Sequence, residues 1–246
     1  MCGIYGVSLS PSSQKNATEL VFQGIKRIEY RGYDSWGVAA LKQKKTSSSE
    51  IKVYKKIGKI SEVKSVAELK LPAARTALGH TRWATHGGVT EVNAHPHLAS
   101  DGSFVLVQNG VVENYQALKN KLQQQGYTFK TQTDTEVIVR LLERSVQKAK
   151  GGKLTAKLVS QAVKQLDGRS TVLIMTVEGD MYAFRYGSPL VVGRGGAGSI
   201  YFSSDVLSMS QDAIEYIAID HGQLVSYVDG QLHIHHLTRG TEITPV

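Results

Sequence analysis

A single cysteine among 246 residues excludes an internal disulfide framework and fits a reducing cytoplasm. No apolar run approaches the ~18 residues that a membrane-spanning helix needs. The N-terminus lacks the basic stretch followed by an apolar one that marks a secretory signal. No internal repeat is found. The net charge of +8 draws partly on Lys42, Lys44, Lys45, Lys52, Lys55, Lys56 and Lys59. That run lacks the interleaved aromatic residues with which single-strand nucleic-acid binders stack bases. It reads as a solvated strand pair, so neither nucleic acid nor membrane is an expected partner. What remains is a globular profile, 41% hydrophobic and 20% charged, with enough apolar material for one large domain or two small ones.

Hydrophobic periodicity predicts the elements. Ile4–Leu9 reads as a strand, and residues 17–29 as an amphipathic helix capped by Asn16. Trp36–Leu41 and Ile51–Lys56 read as strands around a Lys/Ser-rich loop. Phe104–Val107 reads as a short buried strand ending at Gln108-Asn109-Gly110. Tyr115–Gln125 is helical. Val137, Ile138, Leu141, Leu142 and Val146 mark another helix, entered through Thr133-Asp134-Thr135-Glu136, where Thr133 and Glu136 match capping-box spacing. A further helix follows the Gly151-Gly152 break, over residues 155–166. Strands then dominate: Thr171–Val177, Met181–Arg185, Leu190–Val192, Ile200–Ser203, Leu224–Val228 and Leu232–His236. Gly179-Asp180 and Asp229-Gly230 supply hairpin turns. The chain ends soon after a strand, at Thr244-Pro245-Val246. The pattern is α+β, with helices on the outer faces of stacked antiparallel sheets.

Some motifs are better read as structure. Gly193-Arg194-Gly195-Gly196-Ala197-Gly198 fits a dinucleotide-binding spacing, but a strand follows it instead of a helix, so it reads as a hairpin loop and no nucleotide cofactor is expected. His233 and His235 share a strand face without a supporting carboxylate, and His95-Pro96-His97 reads as a turn. No metal site is expected.

Other residues carry chemistry. If Met1 is removed, Cys2 joins a thiol nucleophile to an α-amine of reference pKa about 7.7–8, a nucleophile and base on one residue. The run His80-Thr81-Arg82-Trp83-Ala84-Thr85-His86-Gly87-Gly88 resembles a ligand loop at a strand end, with an arginine able to clamp a carboxylate. Asn109-Gly110 has the ingredients of an oxyanion hole, although Asn-Gly also favours a turn anywhere. Asp134 is either a helix-terminal residue or a partner for an ammonium group. Together these groups describe a site for a free amino acid with an amide side chain, glutamine or asparagine.

The motifs Cys2-Gly3-Ile4, Tyr30-Arg31-Gly32-Tyr33-Asp34-Ser35, His80 to Gly87, Asn93-Ala94-His95-Pro96-His97, Asn109-Gly110 and Thr133-Asp134-Thr135-Glu136 occur in one order over essentially the whole chain. In this the sequence resembles the class II glutamine amidotransferases of the N-terminal-nucleophile (Ntn) hydrolase type, specifically the glutaminase domain of glucosamine-6-phosphate synthases. The resemblance implies a four-layer αββα sandwich spanning residues 1–246. It implies Cys2 as nucleophile, with Asn109 and Gly110 as the oxyanion hole. Arg82 would hold the carboxylate of L-glutamine and Asp134 its ammonium. Thr85 and His86 would line the pocket, Trp83 would help control passage of ammonia, and Arg31 would support the nucleophile. It also implies a cytoplasmic enzyme without metal or organic cofactor. Its ammonia would pass to fructose 6-phosphate on a following isomerase domain, through which the protein could form a homo-oligomer. That isomerase domain is absent from this chain, which reads as an excised domain or a stand-alone subunit. A glutaminase serving another acceptor, and a silent glutamine-binding module, are the alternatives. Three positions depart from the family's usual residues: Gln108, Trp36, and Arg169-Ser170-Thr171. Trp36 is expected to alter packing near the site.

Overall fold

The computed structural model describes residues 1–43, 49–149, 151–237 and 242–243. The Lys/Ser-rich loop with Lys44 and Lys45, and the terminal Thr244-Pro245-Val246, lie outside the described residues. In chain order the elements are β1 (Gly3–Ser8), α1 (Ala17–Arg27), β2 (Ser35–Lys42), β3 (Glu50–Ile57), β4 (Thr76–Arg82), β5 (His97–Leu98) and β6 (Phe104–Val112). Three helices follow: α2 (Tyr115–Gln124), α3 (Thr135–Lys148) and α4 (Ala156–Val163). The remaining strands are β7 (Gly168–Thr176), β8 (Met181–Tyr186), β9 (Val191–Arg194), β10 (Ile200–Ser203), β11 (Glu215–Ala218), β12 (Gln223–Val228), β13 (Gln231–His236) and β14 (Glu242–Ile243). They form two seven-stranded antiparallel sheets, ordered β11-β9-β10-β1-β4-β2-β3 and β14-β13-β12-β8-β7-β6-β5.

Three apolar layers hold the sandwich. Ile4, Leu78, Val105, Val107, Leu173 and Met175 fill the space between the sheets. Tyr5, Val7, Val38 and Ala77 point outward against Val21, Phe22 and Ile25 of α1. Phe104, Leu106, Val172 and Ile174 point the other way, against Val137, Leu141 and Val159 of α3 and α4. Because side chains alternate along a strand, each of these inner strands sends one set of residues to a helix and the other to the middle. Each fully buried Leu, Ile or Phe contributes about 1.5–3 kcal/mol.

Local signals worked where they were strong. Asn16 Oδ1 accepts the Thr18 N–H at 3.0 Å and starts α1. Asp229 and Gly230 both take positive φ, 50° and 77°, and turn β12 into β13. The glycine-rich run from Gly193 to Gly198 links antiparallel β9 and β10, as its sequel of strand residues requires. The predicted capping box at α3 is not formed. Thr133 Oγ1 faces Thr131 and His97, while the Glu136 carboxylate accepts the N–H groups of Lys130 and Thr131 and pairs with Arg140. Trp36 is also not where it was expected to act. It shares the outward phase of Val38 and packs on Phe22 and Tyr54, with ring centroids 6.5 and 5.5 Å away. His233 has a carboxylate after all: its Nδ1 lies 2.7 Å from Glu242 Oε1. Of the surface lysines, Lys55 is half-buried and donates to the Val92 carbonyl at 3.3 Å. No helix among the described residues is long and apolar enough to cross a membrane.

Candidate active site

Strand phase assembles the site. Gly3 opposes Thr81, and Ile4 opposes His80, across β1 and β4. Ile4 and Leu78 face the middle layer, so Cys2, His80 and Arg82, each two residues along, share that side. On the facing sheet Val105 and Val107 point inward, and Asn109 follows in the same phase. Four of the predicted polar positions thus meet at one end of the inter-sheet space. The strand does not end at Gln108 as the Asn-Gly pair suggested. β6 runs on to Val112, pairing Asn109 with Thr171 and Gly110 with Ser170. Gly110 takes φ of 125°, and a Cβ there would meet the Arg169 carbonyl at 1.9 Å, so only glycine keeps the strand continuous.

Cys2 lies at the mouth of this space. Its sulfur accepts the Trp83 N–H at 3.3 Å, and its carbonyl accepts Arg31 Nε–H at 3.1 Å. Burial raises the thiol pKa above its ordinary value; the Trp83 N–H, the chain's terminal ammonium and Arg82 oppose the rise, and Asp134 adds to it. The next residues are tied down by a pair that sequence reasoning missed. Ser204 Oγ accepts the Ile4 N–H at 3.0 Å, and the Ser204 N–H donates to the Ile4 carbonyl at 3.1 Å.

Arg82 is buried and holds the loop that follows it. Its Nη1 donates to the Gly88 carbonyl at 3.2 Å, and its Nη2 to those of His86 and Gly87 at 2.5 and 3.4 Å. Asp34 braces the same loop, accepting the Ala84 N–H at 2.9 Å. Gly32 packs so closely on the Arg82–Trp83 backbone that a Cβ would sit 2.7 Å from it. The segment around Asp34 is therefore the support of the segment around Arg82. Asn93 joins the loop to the next one, donating to Gly88 O at 3.0 Å and accepting the Gln132 N–H at 2.9 Å. Trp83 is exposed, edge-on to Tyr33 with centroids 5.3 Å apart, and Thr85 is exposed at the loop tip. His86 rests on Tyr115, with centroids 5.2 Å apart.

Asp134 closes the far side. It is buried and its Oδ2 accepts the Val112 N–H at 2.7 Å, making no side-chain cap for α3. Burial raises its pKa, while the Val112 hydrogen bond and nearby His86 oppose the rise. The site's most distinctive atom is Asn109 Nδ2. It is buried with no hydrogen-bond partner, whereas Asn109 Oδ1 lies 3.1 Å from His80 Nε2. Behind it, His80, His95 and His97 form a buried cluster with centroid separations of 4.3 and 4.6 Å, the first pair tilted and the second edge-to-face, so the histidines read as a turn belong to the interior.

This αββα sandwich, with a thiol at the head of an inner strand, is the architecture of the Ntn-hydrolase class. The chain belongs to the glutamine amidotransferase domain family, whose model matches residues 36–242. It is 39% identical over 91% of its length to the glutamine–fructose-6-phosphate aminotransferase (isomerizing) of Idiomarina loihiensis. It is 38% identical over 100% of its length to that of Bacteroides thetaiotaomicron. It covers 35% and 37% of those two proteins, about a third of the length of the curated relatives it matches. Among solved structures, the allosteric regulatory enzyme of purine biosynthesis superposes with a TM-score of 0.79 at 25% identity, covering 98% of this chain and 50% of that one. The glutamine phosphoribosylpyrophosphate amidotransferase of B. subtilis gives the same TM-score at 22% identity, covering 98% of this chain and 50% of that one, a likeness of fold.

Proposed function

We propose that the domain hydrolyses the side-chain amide of L-glutamine to glutamate and ammonia. The observation that carries this reading is the buried, unpartnered Nδ2 of Asn109, a residue whose strand phase faces the same end of the inter-sheet space as Cys2. Removal of Met1 frees the Cys2 amine, which takes the thiol proton. The sulfur attacks the amide carbon, and negative charge moves onto the amide oxygen. Asn109 Nδ2–H and the Gly110 N–H stabilise it, each donor worth about 3 kcal/mol when preorganised. The amine returns the proton to the leaving nitrogen, ammonia departs, and a γ-glutamyl thioester remains. Water then attacks the thioester, releasing glutamate and the thiol. Arg82 holds the substrate carboxylate and Asp134 the ammonium, with His86 and Thr85 lining the pocket and Arg31 holding the nucleophile's carbonyl. These steps use only glutamine, water and the chain's own groups.

The names of its relatives support a wider reading. In a full-length protein the ammonia passes, beside Trp83, to a fructose 6-phosphate site on an isomerase domain, in the cytoplasm.

The test is one intact-mass spectrum after incubation with an electrophilic glutamine analogue. The expected mass lacks Met1 and carries a single adduct, lost in Cys2→Ala. A chain without Met1 and without adduct overturns the reading.

A further inference from the structure

An oxyanion-hole amide must face the right way. The oxygen and nitrogen of an asparagine side chain have nearly the same shape, so packing alone does not choose between them. An amide turned the wrong way would present an oxygen to the developing oxyanion and repel it. Something must enforce the orientation of Asn109.

His80 Nε2 lies 2.8 Å from the Gln108 carbonyl oxygen and 3.1 Å from Asn109 Oδ1. The carbonyl is a backbone acceptor whose identity does not depend on any side-chain orientation. It therefore requires His80 Nε2 to carry the proton. Once Nε2 is the donor, the amide atom beside it must be the oxygen, and the Asn109 nitrogen is turned away from it. We infer that His80 is a positioning residue for the oxyanion hole, its Nε2–H holding the Asn109 amide with oxygen inward and nitrogen toward the thiol.

The surroundings keep His80 in that one form. Burial lowers its pKa to about 3, so the ring stays neutral. Its Nδ1 is buried without a partner, which leaves the proton on Nε2. The ring packs on His95, whose own tautomer is also set. His95 Nδ1 accepts the Gln108 N–H at 3.3 Å, so His95 Nε2–H donates to Thr135 Oγ1 at 3.1 Å. Thr135 Oγ1–H in turn donates to Gln108 Oε1 at 2.5 Å. Gln108, between His80 and His95, is thus held at its carbonyl, its N–H and its side chain.

The inference rests on Asn109 being an oxyanion donor, and the test separates the two. Glutamine hydrolysis is measured for the wild type, Asn109→Ala, His80→Leu, His80→Gln and the double variant His80→Leu/Asn109→Ala. His80→Leu should lower kcat about 10- to 100-fold with KM little changed. His80→Gln keeps a donor and should recover part of the loss. In the Asn109→Ala background, His80→Leu should cost less than about threefold, because its target is gone. Equal loss in both backgrounds, or loss confined to KM, overturns the inference. A large loss in Asn109→Ala with none in His80→Leu overturns it while leaving the oxyanion hole standing. No loss in Asn109→Ala overturns both. If His80→Leu fails to fold, nitrogen-15 NMR of the wild-type histidines decides: a protonated Nε2 at neutral pH supports the inference, and a protonated Nδ1 overturns it.

Discussion

Gln108 Nε2 donates to Ser170 Oγ at 2.9 Å across the β6–β7 pair. Their strand phase is that of Phe104, Leu106 and Val172, so they face the helix layer, away from the thiol. Gln108→Ala and Ser170→Ala should each destabilise the fold by about 1–2 kcal/mol, and the double variant by less than the sum. Denaturant unfolding measures this. Strict additivity would mean the pair is not coupled.

Asp134 combines a structural contact with a proposed binding role, and substitution can separate the two. Its Oδ2 accepts the Val112 N–H, and in the proposed function its charge holds the substrate ammonium. Asp134→Asn retains an acceptor and removes the charge, so KM for glutamine should rise tenfold or more, about 1.4 kcal/mol, with little change in melting temperature. Asp134→Ala should lose stability as well. An unchanged KM in both would reduce Asp134 to a structural residue.

In the chain that retains Met1, burial raises the Cys2 thiol pKa above its ordinary value. Only the thiolate is alkylated, so the rate with iodoacetamide should keep rising, about tenfold per pH unit, from pH 6 to 8. A plateau below about pH 7 would show a thiolate already formed and would contradict this.

The three clustered histidines tie stability to pH. Burial lowers His80 to about 3, and lowers His95 and His97 well below their ordinary value. In each case the unfolded chain binds the proton more readily. Their neutral packing therefore stabilises the fold fully above the unfolded pKa of about 6.5, and the contribution is lost as pH falls toward the folded values. Each histidine steepens the slope by about 1.4 kcal/mol per pH unit. Melting temperature should fall from pH 6.5 to 4.5 in wild type, and the fall should be shallower in His97→Phe. Equal slopes would exclude His97 as a contributor.

Much of the candidate site was legible because the residues proposed for its chemistry lie in contiguous motifs. Cys2, Arg82, Asn109 and Asp134 could each be nominated from residue type and local context. What could not be read was how they are held. Asn109-Gly110 looked like a turn because Asn-Gly usually is one, and only pairing with β7 keeps it extended. The α3 capping box failed because Glu136 is engaged by Arg140 and the Lys130–Thr131 backbone, contacts set by where the preceding loop runs. His95 and His97 looked like turn residues because their burial comes from β6, α3 and the loop that enters α3, all distant in sequence. β11 went unread because it is a short edge strand whose residues stay mostly exposed. Asp34 and Asn93 sit in motifs that carry the resemblance, but what they support was not legible there, and Ser204 left no signal at all, since it acts on the backbone of Ile4 at the other end of the chain.

The alternation that brings Cys2 to the inner side of β1 works like a reading frame. Ile4 faces the middle layer and Tyr5 faces α1, so side chains invert at every step. Insert or delete one residue between Cys2 and Ile4, and the sulfur would turn toward the helix layer, leaving the other groups of the candidate site in place without the proposed nucleophile. The spacing there is as much a determinant of chemistry as the cysteine itself. Natural variation in this segment should therefore change residue identity far more readily than residue number.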